Sequence, residues 1–141
     1  MARPSLFVDT SGWACYFHTG DPFHTAAVRH YQQTYTQHGL VITTDHVVAE
    51  LVALLSSRHF KLDRPRVITI ITTILHDPGV TIQSTAWPLF LEAWSLLEQR
   101  PDKAWSLADA ISFRVMDHFA IIDALTTDEH FEQAGKIRLL K

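Results

Sequence analysis

The sequence predicts an α/β fold: three layers, α/β/α, around a central and mainly parallel sheet of four to five strands. Short apolar runs alternate with helix-length segments along the 141 residues, the pattern of parallel strands joined by helical crossovers. Hydrophobic residues make up 47% and charged residues only 19%, so the chain can bury a real core and is not a disordered tail. No repeat, low-complexity tract or shift in composition marks a linker, and residues 1–141 are expected to form a single domain.

The elements follow in order. The apolar run 6–9 ends on Asp9 and reads as a first, fully buried strand. Asp21 and Pro22 look like the cap and first turn of a helix. Phe23, Ala27, Tyr31 and Tyr35 then recur every four residues until Gly39 ends it. A second strand is expected at 40–43 and a helix over 45–58. The segment 64–76 is rich in Val, Ile and Thr, as a strand would be. Asp63 and Pro65 in front, the spacing of Val67, Ile71, Ile74 and Leu75, and the Asp77-Pro78-Gly79 stop make it a helix instead. A third strand at 80–83 precedes a helix over 86–99 with Phe90, Ala93, Trp94 and Leu97 turned inward. Helix 105–118 is apolar nearly all round. A strand ending at Thr126 or Thr127, a short helix 129–134 and a last strand at 137–140 complete the chain.

Several functional classes have nothing to stand on. The lone Cys15 cannot form an internal disulfide, no apolar run is long enough to span a membrane, and residues 1–5 do not open a signal peptide. A cytoplasmic protein is expected. There is no P-loop, GxGxxG or GxSxG, which removes nucleotide-triphosphate, dinucleotide and serine-hydrolase readings. Nine histidines include no HExxH and no closely spaced Cys/His set, so zinc is not expected; His130, two residues after Asp128, could sit near the site but reads first as a packed or exposed residue. Trp13, Trp87, Trp94 and Trp105 read as core or interface residues, and Phe17 as a residue lining the site.

The acids are more informative. Asp9 and Asp128 each close an apolar run, where open α/β sheets place their ligands, although either could simply cap a helix. Glu50 lies within the stripe Val47, Leu51, Leu54 and Leu55, where a carboxylate must be paired, protonated or bound to metal. An ion pair with Arg58 is the plainer alternative. Asp109 shares a helix face with Trp105, Phe113 and Met116, and as a first-turn acid it also suits the helix dipole. Together the four can converge on one edge of a sheet. Such a cluster repels itself, its pKa values rise, and a hard dication such as Mg²⁺ or Mn²⁺ relieves the repulsion. Metal-assisted phosphodiester hydrolysis needs that arrangement.

These residues resemble a family. The runs Phe7-Val8-Asp9-Thr10-Ser11, Ala49-Glu50-Leu51, Ser106-Leu107-Ala108-Asp109-Ala110 and Thr126-Thr127-Asp128-Glu129-His130-Phe131 resemble, in order and spacing, the successive motifs of PIN-domain nucleases. The resemblance covers essentially the whole chain, and its last two motifs are the most specific. It implies an Mg²⁺- or Mn²⁺-dependent RNA-cleaving site with Asp9, Glu50, Asp109 and Asp128 as its acids, and Ser11 and Thr126 as accessory hydroxyls. It also implies a homodimer and, as in VapC-type toxins, a protein antitoxin. A groove between helices 64–76 and 86–99 would receive that antitoxin. Asp102 reads as a turn cap rather than a site residue.

The net charge of −3 is unhelpful for RNA, but it turns positive once four metal-bound acids are set aside. Arg58, Lys61, Arg64 and Arg66, with a looser group of Arg100, Lys103 and Arg114, are either an RNA-facing surface or solvated helix ends. Two alternatives compete. One is a PIN-like binding module without catalysis. The other is a haloacid-dehalogenase-like phosphatase with Asp9 as nucleophile, which would need an Asp where Ser11 stands.

Overall fold

The computed structural model describes residues 3–141. Its strands are β1 (Ser5–Val8), β2 (Leu40–Thr44), β3 (Val80–Gln83), β4 (Asp123–Leu125) and β5 (Ile137–Arg138). All pair in parallel, in the order β3-β2-β1-β4-β5. The central strand β1 sets Phe7 between Ile42 and Ala124, and Leu6, Phe7 and Val8 are all buried. A strand covered on both faces has no polar side to show, hence its continuous apolar run.

Seven helices flank the sheet: α1 (Thr10–Phe17), α2 (His24–Thr36), α3 (Asp45–Leu55), α4 (Arg64–Leu75), α5 (Trp87–Gln99), α6 (Leu107–His118) and α7 (Glu129–Gln133). The chain steps from β1 to β2 to β3, then returns across the sheet to β4 and β5. The right-handed crossover rule puts α1–α4 on one face and α5–α7 on the other. The packing falls into the same two groups, α1 on α2 and α3, α3 on α4, α5 on α6 and α6 on α7, and α3 also meets α6. The strand order reverses between β1 and β4, and a crevice opens there at the carboxyl ends of the strands.

The Val/Ile/Thr-rich segment is indeed a helix. Asp63 caps α4 by accepting a hydrogen bond from the Arg66 amide at 3.0 Å, and Pro65 sits in its first turn. At its far end Asp77 accepts from the Gly79 amide and, at 2.7 Å, from the Tyr31 hydroxyl of α2, which ties the turn before β3 to the core.

The structure departs from the expected elements at five points. Helix α1, separated from β1 by Asp9 alone, has no counterpart among the expected elements, and it contains Gly12. The glycine is required by packing, because a Cβ there would lie 2.0 Å from the carbonyl oxygen of Leu125. Helix α2 begins at His24, with Asp21 forming the preceding turn by accepting from the Phe23 amide at 2.8 Å. Trp94 is 50% exposed; α5 packs mainly on α6, so only a narrow stripe around Ala93 is buried. Finally, α4 packs on α3 and β3 while α5 packs on α6, so these two helices do not wall one groove. A groove lies instead beside α1 and the start of α4, lined by Phe17, Leu55, Phe60, Leu62, Arg66 and Ile70. Phe17, stacked on Trp13, belongs there and not with the acids.

Candidate active site

The four acids come from four places in the chain. Asp9 lies between β1 and α1, Glu50 on α3, Asp109 in the first turn of α6, and Asp128 at the N-cap of α7. All four line one open cavity of ≈ 680 Å³, together with Thr10, Ser11, Ser106, Thr127 and His130. The fold therefore brings the six residues read from the sequence to one place: the four acids and Ser11 line the cavity, and Thr126 lies directly behind it.

Asp9 is the deepest, 6% exposed. Its Oδ2 accepts from the Thr126 hydroxyl at 2.9 Å. That hydroxyl has spent its proton, so it can only accept from Ser11 Oγ at 3.1 Å and from the Asp128 amide at 3.0 Å. Ser11 Oγ accepts in turn from the Thr127 amide at 3.0 Å. A one-way relay thus runs from the β4–α7 turn into Asp9, and it holds the ends of β1 and β4 in register. The Gly12 contact with Leu125 makes the relay possible by letting α1 lie against β4.

Burial pushes the Asp9 carboxyl up to about 7, against hydrogen bonds from Thr10 and Thr126; Asp109 and Glu50 add repulsion. Glu50 is also raised, by burial first and then by the charge of Asp109, while its hydrogen bond from Thr10 works the other way. Its position corrects the sequence reading. Helix α3 buries Val47, Leu51 and Leu55, and Glu50 stands at the exposed edge of that stripe, over the cavity mouth. Its partner is not Arg58; Thr10 Oγ1 donates to its Oε1 at 2.9 Å.

Asp109 is a capping-box residue of α6, bonded reciprocally with Ser106. Its Oδ2 accepts from the Ser106 amide at 3.1 Å and from His130 Nδ1 at 2.9 Å. Asp128 caps α7 through Oδ1, which accepts from the His130 amide at 2.9 Å. The first-turn reading of Asp109 and the capping reading of Asp128 are therefore true, and both acids still line the cavity. His130, read from sequence as a bystander, stands between them. The Asp-x-His spacing at a helix start was the available signal, since capping turns the residue two places on back toward the cap. Desolvation lowers the His130 pKa, but the bond to Asp109 and the charges of Asp128, Asp109 and Glu129 outweigh it and raise it. Asp102 is bound to Arg100 on the surface and takes no part.

In Glu50, Asp109 and Asp128 every protein donor falls on one carboxylate oxygen, leaving Glu50 Oε2, Asp109 Oδ1 and Asp128 Oδ2 without one among the described residues. No Lys or Arg among those residues pairs with any of the four acids. A cluster of carboxylates with spare oxygens and no Lys or Arg partner has the donor chemistry of a hard divalent cation. Ligand atoms of Asp109, Asp128 and His130 lie within 4.8 Å of one another, close enough to share one ion.

Comparison with known proteins agrees with this architecture. Over 134 residues, spanning 95% of this chain and 97% of the relative, the sequence is 30% identical to the 23S rRNA-specific endonuclease VapC20 of Mycobacterium tuberculosis, in both strain CDC 1551 / Oshkosh and strain H37Rv. The crystal structure of that VapC20, described as a sarcin-ricin loop cleaving toxin, superposes with a TM-score of 0.83 at 29% identity. The match covers 96% of this chain and 99% of that one. The PIN domain profile matches residues 6–137, which is nearly the whole sequence, and the chain belongs to the PIN domain family.

Proposed function

We propose that this protein is an Mg²⁺- or Mn²⁺-dependent endoribonuclease and the toxin of a toxin–antitoxin pair, with Asp9, Glu50, Asp109 and Asp128 as its metal-holding acids. One observation carries the reading: acids from four separate segments line a single cleft, three of them keep an unbonded oxygen, and among the described residues none pairs with a Lys or Arg. A divalent cation, held there by these acids, would supply Lewis-acid chemistry for phosphodiester hydrolysis. The protein's own part is preorganisation. Thr126 and Thr10 orient Asp9 and Glu50, the Ser11–Thr126 relay fixes the β4–α7 turn, and the capping box of α6 and the N-cap of α7 aim Asp109 and Asp128 into the cleft.

Charge placement supports an RNA substrate. Arg100, Arg114, Lys136, Arg138 and Lys141 have acidic partners. Arg58, Lys61, Arg64 and Arg66 form no ion pair among the described residues. These four follow directly on α3, whose Glu50, Ala53 and Leu54 form one wall of the cleft. Phosphates entering the cleft along α3 would meet them. The groove beside α1 and α4 is the place for an antitoxin segment. The exposed stripe of Trp87, Leu91 and Trp94 on α5 is the face for a second copy. No helix among the described residues is long and apolar enough to cross a membrane, which suits a cytoplasmic toxin.

The test is cleavage of structured RNA, ribosomal RNA included, with Mn²⁺, with Mg²⁺ and with chelator. The natural protein should cleave only with metal, and Asp109→Asn should lose at least 100-fold. Cleavage that survives chelation, or survives Asp109→Asn, would overturn the reading.

A further inference from the structure

We propose that His130 is a positioning residue for the dication, holding Asp109 so that one defined oxygen faces the metal, rather than a ligand itself. The inference rests on the reading of the site above and extends it to a residue that is not one of the four acids.

The geometry singles out this histidine. A capping box needs only one bond to the Asp109 side chain, from the Ser106 amide to Oδ2. His130 Nδ1 adds a second bond to the same oxygen at 2.9 Å, and a carboxylate only accepts, so Nδ1 carries the proton. With two donors on Oδ2 the carboxylate cannot turn about its bond without breaking both, and Oδ1 is left for a cation. His130 is itself fixed: its amide donates to Asp128 Oδ1 at 2.9 Å, and its ring nitrogen is 3.5 Å from the same atom. The ring therefore sets the distance between two acids that arrive on different elements, α6 and the cap of α7.

Direct ligation through Nδ1 is the competing arrangement, since that atom lies within 4.8 Å of both carboxylates. It would require Nδ1 to give up its proton and its bond to Asp109. The two roles predict different metal selectivity. A nitrogen ligand favours Mn²⁺ over Mg²⁺, whereas an oriented carboxylate serves both.

The experiment measures Mg²⁺ and Mn²⁺ affinity by calorimetry for the natural protein, His130→Ala and His130→Asn, with metal-free melting temperature as a second readout. Asn can place an N–H donor where Nδ1 lies and is a poor ligand for either ion. His130→Ala should weaken both metals to a similar degree, by roughly 10-fold or more, as loss of a partner that orients a ligand does. His130→Asn should recover most of that loss. Equal affinities in His130→Ala and the natural protein, a loss confined to Mn²⁺, or no recovery in His130→Asn would each overturn the proposal. If His130→Ala fails to fold, the affinity of His130→Asn decides alone: near-natural values for both metals support the positioning role, and a loss refutes it. Failure of the natural protein to bind either metal would instead sink the reading of the site itself.

Discussion

Asp9 carries the largest electrostatic cost in the cleft, since its carboxyl is pushed up to about 7 from an ordinary 3.8. A raised acid binds its proton more tightly when folded, so stability contributed at low pH is lost as pH rises through the folded value. The full penalty, on the order of 4 kcal/mol by the usual conversion, is present above pH 7. Asp9→Asn removes it and keeps an acceptor for Thr126. The metal-free variant should therefore match or exceed the natural protein in urea at pH 8, the difference closing by about pH 4, while RNA cleavage is abolished. A metal-free Asp9→Asn that is clearly less stable at pH 8 would show that burial costs Asp9 little. At this scale the acids were legible because apolar runs that end on a carboxylate, and helix stripes broken by one, stand out against the period. His130 was legible only in part: the Asp-x-His spacing marks its closeness to Asp128, but its bond to Asp109, 21 residues away, has no local signal.

Among the elements, α1 shows most plainly how packing overrides local preference. Glycine in a helix costs about 1 kcal/mol relative to alanine, and on sequence alone that position argues against a helix. Here the missing Cβ lets α1 touch the backbone of β4. Gly12→Ala should therefore reverse the usual propensity gain and destabilise by about 2 kcal/mol or more, as overpacking against rigid backbone does. Denaturant midpoints would check this, and metal affinity should fall with it, because Asp9 and Ser11 move with the helix. A neutral or stabilising alanine would mean that α1 can shift freely. The reverse holds for α4, whose β-branched sequence is outvoted by a cap and a proline that the reader can see. Cap signals are local and legible; close approach between distant backbones is not.

For the molecule as a whole, the sheet order brings the ends of β1 and β4 side by side, and with them residues more than a hundred positions apart. Alternating strands and helices announced the parallel sheet. The pairing of α5 with α6, rather than with α4, was not announced, because an apolar helix stripe does not name its partner. The shifts in the cleft act in concert. Asp9 and Glu50 are raised acids and His130 is a raised base. Each stabilises the metal-free fold below its unfolded pKa and loses that contribution as pH climbs through the folded one. The metal-free melting temperature should therefore drop between pH 5 and pH 8. Millimolar Mg²⁺ should restore it, and should raise it more at pH 8 than at pH 5, where protons and cations compete for the same oxygens. An equal rise at both pH values would refute the competition. The one-sided bonding of Glu50, Asp109 and Asp128 has a further consequence for ion size. Calcium completes a shell of six to eight oxygens by gripping carboxylates through both atoms. An acid whose second atom is already engaged by an amide, a hydroxyl or an imidazole can offer only a single point of attachment, so the cleft favours small octahedral ions and leaves a larger one under-coordinated.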